Sequence, residues 1–334
     1  MFSARVHRLN ISNILKRFLP WLVTILILVY LGTTTDLPEA WVTLKSANFA
    51  HFIPIVIVVV LGVFLIDSAC LTLLFRRFNA PLQFREMLPL KGASYVLNVV
   101  NYNAAAAGIA LYFKNEKGVP FLHALGSMLW LNFIDIVALT TLVLGGMAVS
   151  GIVLEPGMQD ILTWMAVGIF CVLVGSCIYW NAGFDYFILG RFREWAIFSA
   201  FKKATLMDYA TFIPLRIAFV CTYVVSQWAV MADFGLDASF QELILYVPVL
   251  TFVGTIPLTT VAGLGTVQVL MREFFIEFAP NGTAQIDAYS TTTILAFVFC
   301  RIAIGLFYFG RVSHDFSPTQ AEDHSEASAI ATDK

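Results

Sequence analysis

Long apolar stretches, separated by short polar segments, run along almost the whole chain. A membrane-spanning helix requires about 20 mostly apolar residues, and eight stretches approach or exceed that length. They cover residues 18–35, 53–75, 88–113, 124–149, 161–180, 208–232, 243–278 and 290–310. The pattern predicts an all-α protein, a polytopic membrane helical bundle.

The composition agrees with this pattern and excludes several classes of protein. Of the 334 residues, 59% are hydrophobic and 13% are charged, and the mean hydropathy is +0.81. Soluble domains are about half apolar and a quarter charged, and a chain of this length cannot bury so much apolar surface in one aqueous core. The chain is therefore not an ordinary cytosolic enzyme, a disordered protein or a nucleic-acid binder.

Lysine and arginine residues predict the orientation of the stretches, because they accumulate on the cytoplasmic side of a membrane. They form clusters before the first stretch, after the second, on both sides of the third and before the sixth. The clusters are Arg5, Arg8, Lys16 and Arg17; Arg76, Arg77, Arg85 and Lys91; Lys114 and Lys117; and Arg191, Arg193, Lys202 and Lys203. This distribution predicts a multi-pass membrane protein with both termini in the cytoplasm.

The third stretch, 88–113, has basic residues on both sides and a polar centre. A single crossing would place one of its basic flanks outside, whereas a pair of half-helices that enters and returns would keep both in the cytoplasm. The centre contains Asn98, Asn101 and Asn103, and broken backbone at membrane depth is tolerated where protein or a wet cavity surrounds it. We predict a re-entrant helix pair here. The three amides either satisfy the broken backbone or bind a substrate head group.

The seventh stretch, 243–278, shows the opposite charge pattern. It is too long for one span, it is interrupted by Pro257 and by the turn from Gly263 to Gly265, and its flanking residues are acidic. We predict a second re-entrant pair that enters from the outside. The two glycines allow the backbone to turn and to pack closely, and the free N–H groups of the half-helix that follows, which contains Gln268, favour anions such as phosphate.

The order of these segments predicts an inverted repeat. Residues 18–149 read as span, span, re-entrant pair and span, and residues 161–310 read in the same order from the opposite face, which gives six full spans. A basic cytoplasmic N-terminus, 1–17, precedes the repeats, and an acidic disordered tail, 312–334, follows them. Inverted repeats with interrupted segments are typical of transporters. The alternative is a stable bundle that merely tolerates the kinks.

A few charged residues lie deep within the apolar stretches, where each costs several kcal/mol or more unless it is paired. Asp135 and Arg301 are each the twelfth residue of the last predicted span of their half. We expect them to approach each other, as a structural ion pair or as part of a substrate site. Arg216 lies nearer the cytoplasmic end, where it either extends to the interface or lines the same site.

Motifs for enzymatic chemistry or metal binding are missing from the sequence. The five cysteines form no CxxC pair, and the five histidines have no ligand-like spacing. Common hydrolase, protease and nucleotide-binding motifs are also missing. We therefore expect no enzymatic activity, no metal and no cofactor.

Several short motifs resemble those of a known family, the lysylphosphatidylglycerol synthase transmembrane region, also called the flippase-like integral membrane family. The motifs are a basic loop at Arg76–Arg85, the asparagine Asn98, the span segment Ser127–Asp135, the turn Ile256–Gln268 and the arginine Arg301 in the last span. The resemblance covers nearly the whole chain.

The chain departs from the family pattern at three places. The residues from Asn101 to Gly108 stand where the family has a Pro-Gly pair and acidic or arginine positions. Leu131 and Asn132 stand where the family has a Glu-Arg pair, and Gln268 replaces the commoner glutamate. Part of a charged site shared by relatives is therefore neutral here. The cytosolic aminoacyl-transfer domain of full synthases is not expected after the last span, so the resemblance does not imply lysyl transfer.

The resemblance implies a protein that binds and translocates a lipid or lipid-like amphiphile between leaflets, with anionic membrane lipids as partners. The segment Phe184–Lys203, which mixes aromatic and basic residues, reads as an interfacial helix on anionic lipid or as a plain cytoplasmic loop. Two alternative functions remain. One is a non-transporting scaffold or regulator of envelope lipid synthesis, favoured if side chains fill the space between the halves. The other is a secondary transporter of a small polar solute, favoured by a closed, ion-lined site.

Overall fold

The computed structural model describes residues 37–100, 102–150, 156–181, 193–255 and 266–312. Within these ranges the regular structure is helical, without strands, which confirms the all-α prediction. The α-helices are α1 (Leu37–Ser46), α2 (Phe49–Phe78), α3 (Phe84–Val100), α4 (Tyr102–Lys117), α5 (Phe121–Ser150), α6 (Pro156–Asn181), α7 (Ser199–Lys203), α8 (Leu206–Met231), α9 (Phe240–Thr255), α10 (Thr266–Phe275) and α11 (Thr283–Val312).

Four of the described helices are long and apolar enough to cross a membrane. They are the segments Phe49–Phe78, Phe121–Ala148, Leu206–Phe234 and Thr283–Tyr308. A helix satisfies its backbone hydrogen bonds internally, which is the requirement for crossing lipid. Of the other two predicted spans, 161–180 lies in α6, whose apolar part Ala166–Trp180 is shorter. The stretch 18–35 lies outside the described residues, as do the predicted N-terminus 1–17 and nearly all of the tail 312–334.

Contacts between helix termini define two ends of the bundle. At the first end, Arg77 near the end of α2 donates from Nε to Asp208 near the start of α8 at 2.7 Å. At the second end, His51 near the start of α2 contacts Asp233, which follows α8, at 2.9 Å. Since α2 has 30 residues, these two ends lie about 45 Å apart. Helices α2 and α8 therefore run side by side in opposite directions.

The predicted stretch 88–113 forms two helices, α3 and α4, whose outer termini meet at the first end. Lys117 Nζ, at the end of α4, lies 2.8 Å from Glu86 Oε1, near the start of α3. This hydrogen bond lowers the pKa of the Glu86 carboxyl and raises the pKa of Lys117. The pair packs inside the bundle, where Phe113 stacks on Phe75 of α2 with ring centroids 3.9 Å apart.

The predicted stretch 243–278 also forms two helices, α9 and α10, and their outer termini meet at the second end. The backbone N–H of Asp237, just before α9, donates to the carbonyl of Phe278 after α10 at 3.3 Å. Gln285 near the start of α11 donates to the carbonyl of Phe234 at 2.7 Å, which brings α11 to the same end. The segment between α9 and α10, 256–265, lies outside the described residues.

The first helix of each pair packs against the last long helix of the other half of the chain: α3 against α11, and α9 against α5. Small residues allow these approaches. A Cβ added to Gly305 of α11 would lie 2.8 Å from Val96 Cγ2 of α3, and one added to Gly92 of α3 would collide with the Tyr308 ring. Gly146 of α5 likewise faces Ile244 of α9.

The predicted interfacial segment differs from expectation over the part that is described. Residues 196–203 form a 3₁₀ turn, Ala196–Phe198, followed by the short α7 rather than one continuous helix. Close packing explains its position, since the carbonyl of Ile197 fills the space where a side chain on Gly126 of α5 would lie. Residues 182–192 lie outside the described ranges.

Candidate functional site

Four charged side chains from four helices meet inside the bundle and form an ion cluster of Asp67 (α2), Lys91 (α3), Asp135 (α5) and Arg216 (α8). Arg216 donates from Nη1 to Asp67 Oδ1 at 2.7 Å and from Nε to Asp135 Oδ1. Lys91 Nζ lies 2.5 Å from Asp67 Oδ2. Asp67 and Arg216 are buried, and the other two are partly buried.

The position of Arg216 along α8 explains why it is paired rather than extended to water. It lies about 15 Å from the start of the helix at 1.5 Å per residue. The rigid fork of a guanidinium can bind two carboxylates at once. The Phe219 ring, one turn further on, lies 4.1 Å from the Arg216 guanidinium carbon and packs against it.

The predicted pair of Asp135 with Arg301 is wrong. Asp135 bonds to Arg216 instead, because α5 packs against α8 and α9, whereas α11 packs against α3. Equal positions in two repeats indicated equal depth, but equal depth does not decide which helices touch. Asp135 and Arg216 therefore do share one site, and Arg301 belongs to a neighbouring one.

Arg301 is bound by aromatic residues rather than by a carboxylate among the described residues. Its Nη2 donates to the Tyr223 hydroxyl at 2.7 Å, and its guanidinium carbon lies 5.9 Å from the centroid of the Tyr95 ring. The same ring lies 5.2 Å from Lys91 Nζ. Tyr95 therefore stands between Arg301 and the ion cluster. The Nε of Arg301 is buried and has no hydrogen-bond partner in the described part of the chain.

Of the three asparagines predicted in the first helix pair, Asn98 is the one that the structure places at the depth of Arg301. The contacts of Gly92 with Tyr308 and of Val96 with Gly305 set an antiparallel register between α3 and α11. This register places the last turn of α3, which contains Asn98, at the level of Arg301. Asn101 lies outside the described residues, and Asn103 is the second residue of α4.

The predicted site residues of the second helix pair lie elsewhere. Gly263 and Gly265 are outside the described ranges. Gln268 is buried and donates from Nε2 to Thr291 Oγ1 on α11 at 2.8 Å. Thr291 lies about 15 Å from Arg301 along α11, so the structure does not bring Gln268 to the ion cluster.

Sequence reasoning does not assign three residues that the structure places at this site. Lys91 groups with the cytoplasmic basic residues, although its place within an apolar stretch indicates a deep position. Asp67 stands out in the sequence as a charge within the second apolar stretch, but the sequence does not show which cation it pairs with. Tyr223 gave no signal, since tyrosines are common in membrane helices.

An apolar pocket among the described residues lies toward the second end of the bundle, where α9 begins. It has a volume of about 240 Å³ and lies between α5 and α9, with Leu142, Gly146, Phe240 and Ile244 among its lining residues.

No curated protein and no solved structure matches the chain. The family described as the lysylphosphatidylglycerol synthase TM region matches residues 17–308. That match agrees with the helices long enough to cross a membrane and confirms the resemblance seen in the sequence. Since it covers most of the 334 residues, this chain is a multi-pass membrane protein that belongs to the lysylphosphatidylglycerol synthase TM region family.

Proposed function

We propose that the protein binds a lipid or lipid-like amphiphile and moves it between the two leaflets of the bacterial inner membrane. The observation that carries this proposal is a set of polar groups inside a bundle of helices long enough to cross a membrane. The set consists of the charged side chains of Asp67, Lys91, Asp135, Arg216 and Arg301 and the hydroxyl of Tyr223. A polar head group that crosses a bilayer needs such groups along its path, because lipid offers it no hydrogen bonds. Membership of the family supports a role in the lipid bilayer.

The repeat that we propose for this machinery is inverted, with six full spans and two re-entrant pairs. The two helix pairs support the inverted repeat, because the outer termini of one pair meet at the first end of the bundle and those of the other pair meet at the second end. The reciprocal packing of α3 on α11 and of α9 on α5 supports it as well. Prolines recur in the same order: Pro54 and Pro89 in α2 and α3 stand nearly as far apart as Pro214 and Pro248 in α8 and α9.

The orientation that we propose places the first end of the bundle, with both termini, in the cytoplasm. Basic residues support it: Arg76, Arg77, Lys114, Lys202 and Lys203 all lie at the first end. The exposed apolar side chains of Trp195, Leu206 and Met207 at the same end suit an interface with anionic lipid.

The mechanism that we propose is alternating access without covalent chemistry. Arg216 of the second half bonds to Asp67 and Asp135 of the first half, so these bonds join the halves in the observed conformation. A bound head group offers replacement partners for the same charges, which lowers the cost of breaking the bonds when the halves move.

Reconstitution into liposomes tests this function. Fluorescent lipid in the inner leaflet becomes accessible to the membrane-impermeant reductant dithionite when a protein translocates it. We expect dithionite to reduce nearly all of the label in vesicles with wild-type protein, and we expect Arg216→Gln to slow the movement of label to the outer leaflet about tenfold or more. Label protected equally in wild-type and protein-free vesicles would contradict the proposal and would favour a scaffold role.

A second candidate, a secondary transporter of a small polar solute, is favoured by the ion pairs of the cluster. A site whose charges come from four helices suits a small polar solute that binds between side chains. Uptake of such a solute by the same proteoliposomes, with no movement of labelled lipid, would select this candidate.

A further inference from the structure

Among the described residues, the charged groups of the ion cluster and Arg301 do not balance in charge. Asp67 and Asp135 compensate Lys91 and Arg216 within the ion cluster. Arg301 adds one more positive charge, and no carboxylate among the described residues forms an ion pair with it. Charged side chains inside membranes almost always face the protein interior and pair with one another or with backbone carbonyls. A missing anion is the simplest way to complete this site.

The hydrogen bonds around Arg301 show where that anion would bind. Its Nη2 donates to the Tyr223 hydroxyl, and its Nε is buried without a partner in the described ranges. Because the Tyr223 oxygen accepts from Arg301, its own O–H hydrogen is left to donate elsewhere. Two donors and a positive charge therefore converge at one place between α8 and α11.

The surroundings hold the Arg301 guanidinium in position without neutralising it. The Tyr95 ring supports it on one side at 5.9 Å, and the Tyr223 ring stacks on Phe297 with centroids 6.1 Å apart. An arginine needed only for packing would be costly here, since an apolar residue could fill the same space without the desolvation penalty.

We propose that Arg301 and Tyr223 bind the oxyanion of the ligand's head group, a phosphodiester or a carboxylate. Guanidinium donors match the planar spacing of such oxygens. This inference rests on the proposed function and narrows it, because it makes the translocated amphiphile anionic and assigns the ion cluster to the neighbouring part of its path. Asn98, at the same level on α3, stands where the rest of the head group would lie.

Binding of phosphatidylglycerol, compared with phosphatidylcholine, tests the proposal on the full-length protein. The two lipids share a phosphodiester, but the choline cation of the second cancels its charge. We expect wild-type protein in nanodiscs of phosphatidylcholine to bind added phosphatidylglycerol, and Arg301→Gln to weaken that binding about tenfold or more, the loss typical of one charge-assisted bond. Arg301→Lys should keep part of the affinity, because it keeps the charge but not the fork.

Two further variants separate the binding role of Arg301 from the effects of misfolding and of overall surface charge. Tyr223→Phe removes one donor without changing any charge, and we expect it to weaken binding less than Arg301→Gln does. Arg76→Gln, at an exposed position on α2, removes the same charge from the surface and should leave the affinity unchanged. Equal affinity of wild type, Arg301→Gln and Tyr223→Phe for phosphatidylglycerol would overturn the proposal.

Inorganic phosphate separates a lipid head group from a free anion. Millimolar phosphate should not displace phosphatidylglycerol from wild-type protein if the apolar chains contribute to binding. Displacement that depends on Arg301 would reassign the site to a free oxyanion and overturn the lipid assignment. If Arg301→Gln still translocates lipid with an unchanged preference among head groups, the oxyanion site is refuted and the proposed function is not. If binding depends on Arg301 but the wild-type protein translocates no lipid, the proposed function is refuted and the oxyanion site is not.

Discussion

At the scale of single residues, Arg216 is the centre of the ion cluster, because it is the member that bonds to two carboxylates from two other helices. Removing it leaves Asp67 with Lys91 but leaves Asp135 without its cation. Stranding a buried charge costs more than removing both partners of a pair.

We therefore expect Arg216→Gln to lower the stability of the protein by about 3 kcal/mol, and the double variant Asp135→Asn with Arg216→Gln to recover a large part of that loss. Thermal unfolding in detergent, followed by aggregation-sensitive chromatography, measures both. A double variant less stable than Arg216→Gln would show that Asp135 has another essential partner.

The sequence identified the deep charges but could not pair them. Asp135, Arg216 and Arg301 are visible as charges because their neighbours are apolar. Their partners depend on which helices touch, and that is decided by close packing such as Gly305 against Val96. The expected Asp135–Arg301 pair failed for this reason.

At the scale of helices, the contact between α3 and α11 depends on glycine. A Cβ on Gly305 would lie 2.8 Å from Val96 Cγ2 and 3.2 Å from the Val96 backbone nitrogen, so α3 would have to move. We expect Gly305→Ala to destabilise the protein by about 1–3 kcal/mol despite the better helix propensity of alanine.

Gly62 of α2 is the matched control, since nothing lies within 4 Å of a Cβ built there. Gly62→Ala should leave the thermal stability unchanged or raise it. Equal effects of the two substitutions would show that the close approach of α3 and α11 has no energetic weight.

The two helix pairs permit a topology test. Glu116 and Lys202 are exposed at the first end of the bundle, and Asn281 is exposed at the second end. In a variant without native cysteines, we expect a cysteine at Asn281 to react with a membrane-impermeant thiol reagent added to intact cells. Cysteines at Glu116 and Lys202 should react only after the cells are opened.

Reaction of the Glu116→Cys variant in intact cells, while Lys202→Cys stays protected, would place the end of α4 outside and would exclude the re-entrant pair. The sequence could predict two helices here because the two basic flanks of the stretch conflict with a single crossing. It could not predict the short turns at 196–203, because their conformation is set by contact with Gly126 of α5.

At the scale of the whole molecule, the two halves touch through α2 with α8, α3 with α11 and α5 with α9. The four long apolar helices and the two pairs of shorter helices could be predicted from hydropathy and charge, because both act along the chain. The reciprocal packing of the halves could not, since it depends on side chains that are distant in sequence.

A reversible link between the two halves tests whether one half moves against the other during lipid translocation. Arg77 of α2 donates to the backbone carbonyl of Lys203 at 3.3 Å, so these two positions adjoin across the halves at the first end. Cysteines at both positions of a variant without native cysteines, joined by a short bis-methanethiosulfonate that forms a disulfide with each thiol and is cleaved by reductant, would hold that end in its observed conformation. The measurement is the rate of lipid translocation in proteoliposomes before linking, after linking and after cleavage of the reagent. We expect linking to reduce the rate to that of protein-free vesicles and cleavage to restore it, whereas an undiminished rate in completely linked protein would contradict alternating access between the halves.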